Sequence, residues 1–170
     1  ETADEEHYKK LHPNNMSFEN RIECLKHLKE LGFQTGCGFM VGSPHQTIDS
    51  IVKDLIFIRN FKPEMVGIGP FIPHKDTPFS SMPTGDVYLT LFLISVVRLM
   101  LPKALIPATT ALGSAHPYGR ELGILAGANV VMPNLSPEST RKKYSLYNNK
   151  LSTGEEAAEN CRLLEQKLAS

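Results

Sequence analysis

"FQTGCGFMVG", residues 33–42, decides the fold, because side chains of a strand alternate between its two faces. One face then carries Phe33, Thr35, Cys37, Phe39 and Val41, and the other Gln34, Gly36, Gly38, Met40 and Gly42. One face packs; the other is nearly bare. A second run, "EMVGIGPFIP" (residues 64–73), repeats the motif with Gly67 and Gly69 alternating against Val66 and Ile68. Glycine inside a strand sacrifices order and packing, so bare faces on neighbouring strands point to a ligand that approaches the backbone, with a tight bend or a bulge as the alternative.

Working outward, each such run leads through a Gly- or Pro-rich loop into an amphipathic helix. The remaining runs are "ALIPATTALG" (104–113) and "ANVVMPN" (128–134), and the helices start near Thr47, Gly85, His116 and Pro137. Strict alternation of strand and helix predicts a parallel α/β sheet. A helix from Ser17 to Leu31 precedes the first strand, with Phe18, Ile22, Leu25 and Leu28 at helical spacing, Ser17 as N-cap and Gly32 as terminator. Residues 154–170 form a further amphipathic helix, with Ala157, Cys161, Leu164 and Leu168 on one side, suited to covering the end of the sheet.

Four units amount to half of a closed eight-stranded barrel or to part of a doubly wound sheet. The first turn, "VGSPHQT", lacks the G-x-G-x-x-G fingerprint of the latter. In a barrel the glycine face lines the interior and the chemistry sits at the C-terminal strand ends. Those ends hold Gly42, Pro70 to Pro73, Thr109 with Thr110, and Met132 with Asn134.

The chain has 170 residues, 41% of them hydrophobic, with 18 basic and 18 acidic side chains. That is one soluble globular domain without a global field to steer it to nucleic acid or a membrane, so its partner is expected to be small. The longest apolar stretch, "VYLTLFLISVVRLML", carries Thr90, Ser95 and Arg98 and is too short to span a bilayer. Cys24, Cys37 and Cys161 fit neither a disulfide framework nor a metal-ligand pair, which predicts a cytoplasmic protein with reduced thiols.

Arg21 closes the first turn of its helix, where a cation opposes the dipole but is well placed to hold a carboxylate or phosphate. An ion pair with Glu19 or Glu23 is the plainer account. Glu1 and Arg21 are spaced so that a helix-turn segment brings an acceptor and a donor to one zwitterionic ligand, such as an amino acid end group. Thr109 and Thr110 place hydroxyls at a strand end, followed by Met132 and by Tyr144 and Tyr147 on one face of a short helix; for these, strand formation and core packing are the alternatives. The six histidines show no helical metal spacing, and no nucleophile elbow, P-loop or kinase set is present.

Taken together, "ETAD", "HP", "SFENRIECLKHLKELGF", "GFMVGSPHQT", "MVGIGPFIPHKDTPF", "IPATTALG", "GRELGILAGANVVMPNLSP" and "YSLY" resemble the radical S-adenosylmethionine enzymes of the biotin synthase-like group. The similarity runs from Glu1 to about Tyr147. Within the group it is strongest to the maturases of FeFe-hydrogenase, then to methylornithine synthases, and weaker to biotin synthases. The resemblance implies an (α/β) barrel whose N-terminal half holds a 4Fe-4S cluster through C-x-x-x-C-x-x-C and generates a 5′-deoxyadenosyl radical from S-adenosylmethionine. Those cysteines do not occur here, so the chain is expected to be the C-terminal half of the barrel, inactive alone, with the N-terminal half of the same protein as its partner.

By the same resemblance, Glu1, Arg21, Met40, Val41, Gly42, Pro70, Phe71 and Ile72 are contacts to S-adenosylmethionine, and Thr109, Thr110, Met132, Tyr144 and Tyr147 line the substrate cavity. Arg120 and Glu121 belong to a "GRE" element of open role, and Cys161 alone makes an accessory cluster doubtful. The expected function is assembly of the FeFe-hydrogenase diiron site; a methylornithine synthase-like or biotin synthase-like enzyme, and a non-catalytic half-barrel that binds a small molecule, are the alternatives. A half-barrel also leaves two strand edges bare, which predicts self-association.

Overall fold

The computed structural model describes residues 1–132 together with Arg162, Glu165 and Gln166, which are helical and exposed. Asn134, Tyr144, Tyr147, Cys161, the helix expected after Pro137 and the apolar side of the expected 154–170 helix lie outside the described residues. The elements run α1 (Glu5–Leu11), α2 (Phe18–Glu30), β1 (Gly36–Val41), α3 (Ile48–Phe61), β2 (Met65–Pro70), α4 (Val87–Met100), α5 (Thr110–Ala115) and α6 (Gly119–Leu125).

β1 and β2 pair in parallel, from Gly36 opposite Met65 to Val41 opposite Pro70. Two further segments extend the sheet through single bridges, Leu105 beside Met65 and Val130 beside Pro107. Their ladder includes Val66 N–H to Leu105 O and Ala108 N–H to Val130 O, each 2.8 Å. Spatial order therefore follows chain order, giving an open parallel sheet. Its core joins Phe39 and Val41 of β1, Val66 and Ile68 of β2, and Ile106 to Ile51 and Ile58 of α3 and to Leu93, Ile94 and Val97 of α4. Each such side chain, once buried, contributes about 1.5–3 kcal/mol.

Helix starts follow their caps. Ser17 accepts from Asn20 N–H, Asp86 from Leu89 N–H, and Thr47 exchanges side-chain and backbone bonds with Ser50 in a capping box. The one cation of α4, Arg98, turns inward: its guanidinium donates to the carbonyls of Gly127, Pro102 and Ala104 at 2.8–2.9 Å. No helix among the described residues is long and apolar enough to cross a membrane.

Four expectations need correction. Phe33 is 59% exposed and precedes the strand. Gly32 takes φ +82° and Phe33 N–H returns to Leu28 O at 3.0 Å, so Phe33 is held in the C-terminal cap of α2. The run 104–113 breaks after Ala108, because the Thr109 hydroxyl accepts from Leu112 N–H and starts α5. The helix expected near His116 begins three residues later, at Gly119. Leu28, assigned to the apolar stripe of α2, is exposed, and no residue of that helix is fully buried. Helix α1 lies in a segment read only as a helix-turn connection.

Candidate functional site

The first four residues are fastened to the sheet and to α3. The Glu1 nitrogen donates to Gly38 O at 3.1 Å and Met40 N–H donates to Glu1 O at 3.3 Å, which is parallel pairing on the outer edge of β1. Thr2 Oγ1 donates to Asp54 Oδ1 at 3.1 Å, and Ala3 N–H donates to the same oxygen. Asp4 accepts from Ser50 Oγ at 2.9 Å and from Lys53 Nζ at 2.8 Å. In α1, His7 Nε2 lies 3.0 Å from Pro44 O.

Electrostatics follow from that packing. Burial pushes the Asp54 carboxyl up to about 6, against the lowering effect of its bonds from Ala3 and Thr2; its second oxygen is buried without a partner. Burial would raise Asp4 as well, yet the hydrogen bonds from Lys53 and Ser50 outweigh it and hold the group below its ordinary value. Through these bonds both aspartates fasten the segment that follows Glu1 to α3.

The Glu1 carboxylate meets an imidazole and a guanidinium. Its Oε2 is 2.6 Å from His12 Nε2 and its Oε1 is 3.7 Å from Arg21 Nη2. Glu1 and Arg21, far apart in sequence, are thus brought together, with 40% and 53% of their side chains exposed, enough for a ligand to reach both. Beside them a cavity of about 300 Å³ opens between α2, α3 and β1, lined by Phe18, Ile22 and Leu25 from one helix and Asp54, Phe57 and Ile58 from the other. The apolar stripe of α2 faces this cavity, which is why it is only partly covered.

At the strand ends, Gln46 reaches back to hold the backbone: Gly42 N–H donates to its Oε1 and its Nε2 donates to Met40 O, both 2.7 Å. Phe71 N–H donates to Val41 O at 2.8 Å. Val41, Pro70 and Phe71 are buried, so their side chains pack in the structure, whereas Met40 and Ile72 are half-buried and Gly42 exposed.

The glycines divide. A Cβ on Gly38 would lie 1.8 Å from Gly67 O, so that glycine serves close backbone approach; one on Gly67 would meet nothing within 4 Å. Gly69 leaves room for Thr109 Oγ1, which would stand 2.9 Å from a Cβ there. Thr110 Oγ1 lies 3.5 Å from Arg120 Nη2. Met132 is 52% exposed. Sequence reasoning missed His12 and Asp54. Asp54 was signalled by an acid on the buried stripe of α3, between Ile51 and Ile58, where an unpartnered carboxylate would be costly.

No family model matches the chain. It is 52% identical over 151 residues, 89% of its length, to the [FeFe] hydrogenase maturase subunit HydE of Thermotoga maritima, of which it spans 43%. It is 33% identical over 151 residues to 3-methylornithine synthase of Methanosarcina barkeri, of which it spans 42%. The crystal structure of methylornithine synthase (PylB) superposes on 98% of the chain with a TM-score of 0.77 and 29% identity, over 49% of that structure. The chain therefore spans less than half the length of the curated relatives it matches, and its open parallel sheet is half of a barrel.

Proposed function

Because the chain belongs to the radical S-adenosylmethionine enzymes of the biotin synthase-like group, as the counterpart of their C-terminal part, we propose that it completes a barrel with the N-terminal part of the same protein, binds S-adenosylmethionine and a small substrate there, and acts in assembly of the FeFe-hydrogenase diiron site. The observation that carries this reading is the meeting of Glu1 and Arg21 beside the outer edge of β1. S-adenosylmethionine offers a carboxylate for the Arg21 guanidinium and, in its ammonium and ribose hydroxyls, donors for Glu1. The donor set fits the ligand, and Gly67 leaves the strand face open for its approach.

In this reading Met40, Val41 and Gly42, with Pro70, Phe71 and Ile72, border the adenosine chiefly through backbone groups. Thr109, Thr110, Met132, Tyr144 and Tyr147 bound the substrate cavity. The cluster ligands belong to the N-terminal part, and the cluster with S-adenosylmethionine supplies the radical. This chain's residues bind, orient and exclude water. The cavity beside β1 suits a neighbouring strand of that part, and a half-barrel without it is expected to self-associate along the edges that Glu1 leaves unpaired.

The greater identity to the hydrogenase maturase, 52% against 33%, favours its role over a methylornithine synthase-like rearrangement or a biotin synthase-like reaction. A non-catalytic half-barrel that binds a small molecule is the remaining alternative. The test is reconstitution of the full-length protein with iron and sulfide: under reducing conditions it should cleave S-adenosylmethionine to 5′-deoxyadenosine and restore hydrogenase activity in cells lacking the maturase. Cleavage without restoration would turn the reading to the methylornithine synthase-like alternative; an intact cluster without cleavage would reject the enzyme.

A further inference from the structure

We propose that His12 is a positioning residue of the ligand site, holding the Glu1 carboxylate by one oxygen so that the other is left to Arg21 and to the ligand. The proposal rests on the reading of Glu1 as a ligand contact. Its evidence is the geometry of one imidazole. Nε2 of His12 lies 2.6 Å from Glu1 Oε2, and Nδ1 lies 3.0 Å from Tyr8 O. Both partners are oxygens, so each ring nitrogen has a hydrogen-bond acceptor within reach and the imidazole is held from both sides.

The ring has little freedom to do otherwise. It stacks on Tyr8 with centroids 3.9 Å apart and planes inclined by 16°, and only 13% of the side chain is exposed. Tyr8 is itself buried and meets Phe18 edge-on at 5.5 Å. Phe18 opens α2, the helix that carries Arg21 one turn later. A single aromatic stack therefore fixes both the holder of Glu1 and the start of the helix that presents the guanidinium. Without His12, the two hydrogen-bonded backbone atoms of Glu1 would stay in place while its carboxylate swept through its rotamers. With it, Oε2 is occupied and Oε1 is aimed at Arg21.

Two substitutions separate orientation from packing. His12→Phe keeps a ring on Tyr8 and removes the donor; His12→Gln returns an amide N–H near the Nε2 position. Binding of S-adenosylmethionine is measured in the full-length protein, and each variant is repeated with Glu1→Gln. His12→Phe should weaken binding about tenfold, the scale of one charge-assisted hydrogen bond, and His12→Gln should recover most of it. In the Glu1→Gln background His12→Phe should change little, because the two residues act as one unit. An equal loss in both backgrounds would overturn the proposal in favour of packing alone.

A ligand-free readout is the imidazole nitrogen resonances. The His12 Nε2 signal should move on Glu1→Gln, and an unmoved signal would also overturn the proposal. If the wild-type protein does not bind S-adenosylmethionine, the functional reading fails, and the resonances still decide whether His12 holds Glu1.

Discussion

Replacing Asp54 with asparagine should remove a pH dependence of stability that the fold itself creates. Asp54 is 2% exposed, and burial raises its carboxyl from 3.8 to about 6. Between about pH 4 and pH 6 the folded chain therefore retains a proton that the unfolded chain has released. For an acid displaced upward, stability is highest below the unfolded value and falls as pH rises, and the full penalty is reached above the folded value. A displacement of about 2 units corresponds to ~3 kcal/mol at 1.36 kcal/mol per unit. Asparagine cannot ionise, and its carbonyl can still accept from Ala3 N–H and Thr2 Oγ1. Its amide leaves a buried donor where Oδ2 had no partner, which shifts the whole curve by a constant amount and leaves the slope alone. The amino terminus of Glu1 lowers Asp54, so a polypeptide that continues upstream, with a peptide bond in that place, should show at least as large an effect. The assay is urea denaturation followed by far-ultraviolet circular dichroism from pH 4 to pH 8. The stability of wild type minus that of the variant should fall by ~2 kcal/mol across the window, the first part of the ~3 kcal/mol having been lost below pH 4. A difference that stays level, or rises, would show that Asp54 ionises without penalty and would refute burial as the dominant influence.

The glycine face yields a paired test. Gly38→Ala drives a Cβ to 1.8 Å from Gly67 O and should cost more than ~3 kcal/mol or abolish soluble expression, measured by thermal denaturation. Gly67→Ala meets nothing within 4 Å and should leave stability unchanged or raise it by roughly 0.5–1 kcal/mol, while weakening binding of S-adenosylmethionine measured by calorimetry. Undiminished binding would show that the ligand does not approach that strand. Among the thiols, burial raises Cys37 to about 11 while Cys24 is exposed, so iodoacetamide at pH 8 followed by peptide mapping should label Cys24 quickly and Cys37 only after unfolding.

Alternation was enough to assign the faces of β1 and β2, because burial on one side of a strand leaves a period of two that local chemistry rarely disturbs. Val66 and Ile68 are fully buried and Gly67 is open, as the pattern required. Where the reading failed, a cap intervened. The Schellman turn at Gly32 took Phe33 out of the strand, and the Thr109 hydroxyl turned the second half of "ALIPATTALG" into a helix. Each cap is a hydrogen bond to a backbone group, decided by φ and ψ at one residue, so hydrophobic periodicity carries no trace of it. The site shows the same division. Glu1 and Arg21 could be singled out as an acceptor and a donor for the two ends of one ligand, since their charges are legible in the sequence. His12 could not, because its orientation comes from a stack on Tyr8 and a carbonyl four residues back, neither of which is a spacing between chemical groups of opposite charge. Asp54 falls between the two: its place on the apolar stripe of α3 demanded a partner, but only the folded chain could say that the partners are Thr2 and Ala3. The residues proposed to touch a ligand are thus the easier ones to read. Those that aim them are written in the tertiary structure, and for that reason a change at His12 or Asp54 tests the site more sharply than a change at Glu1, whose loss removes a charge whatever its orientation.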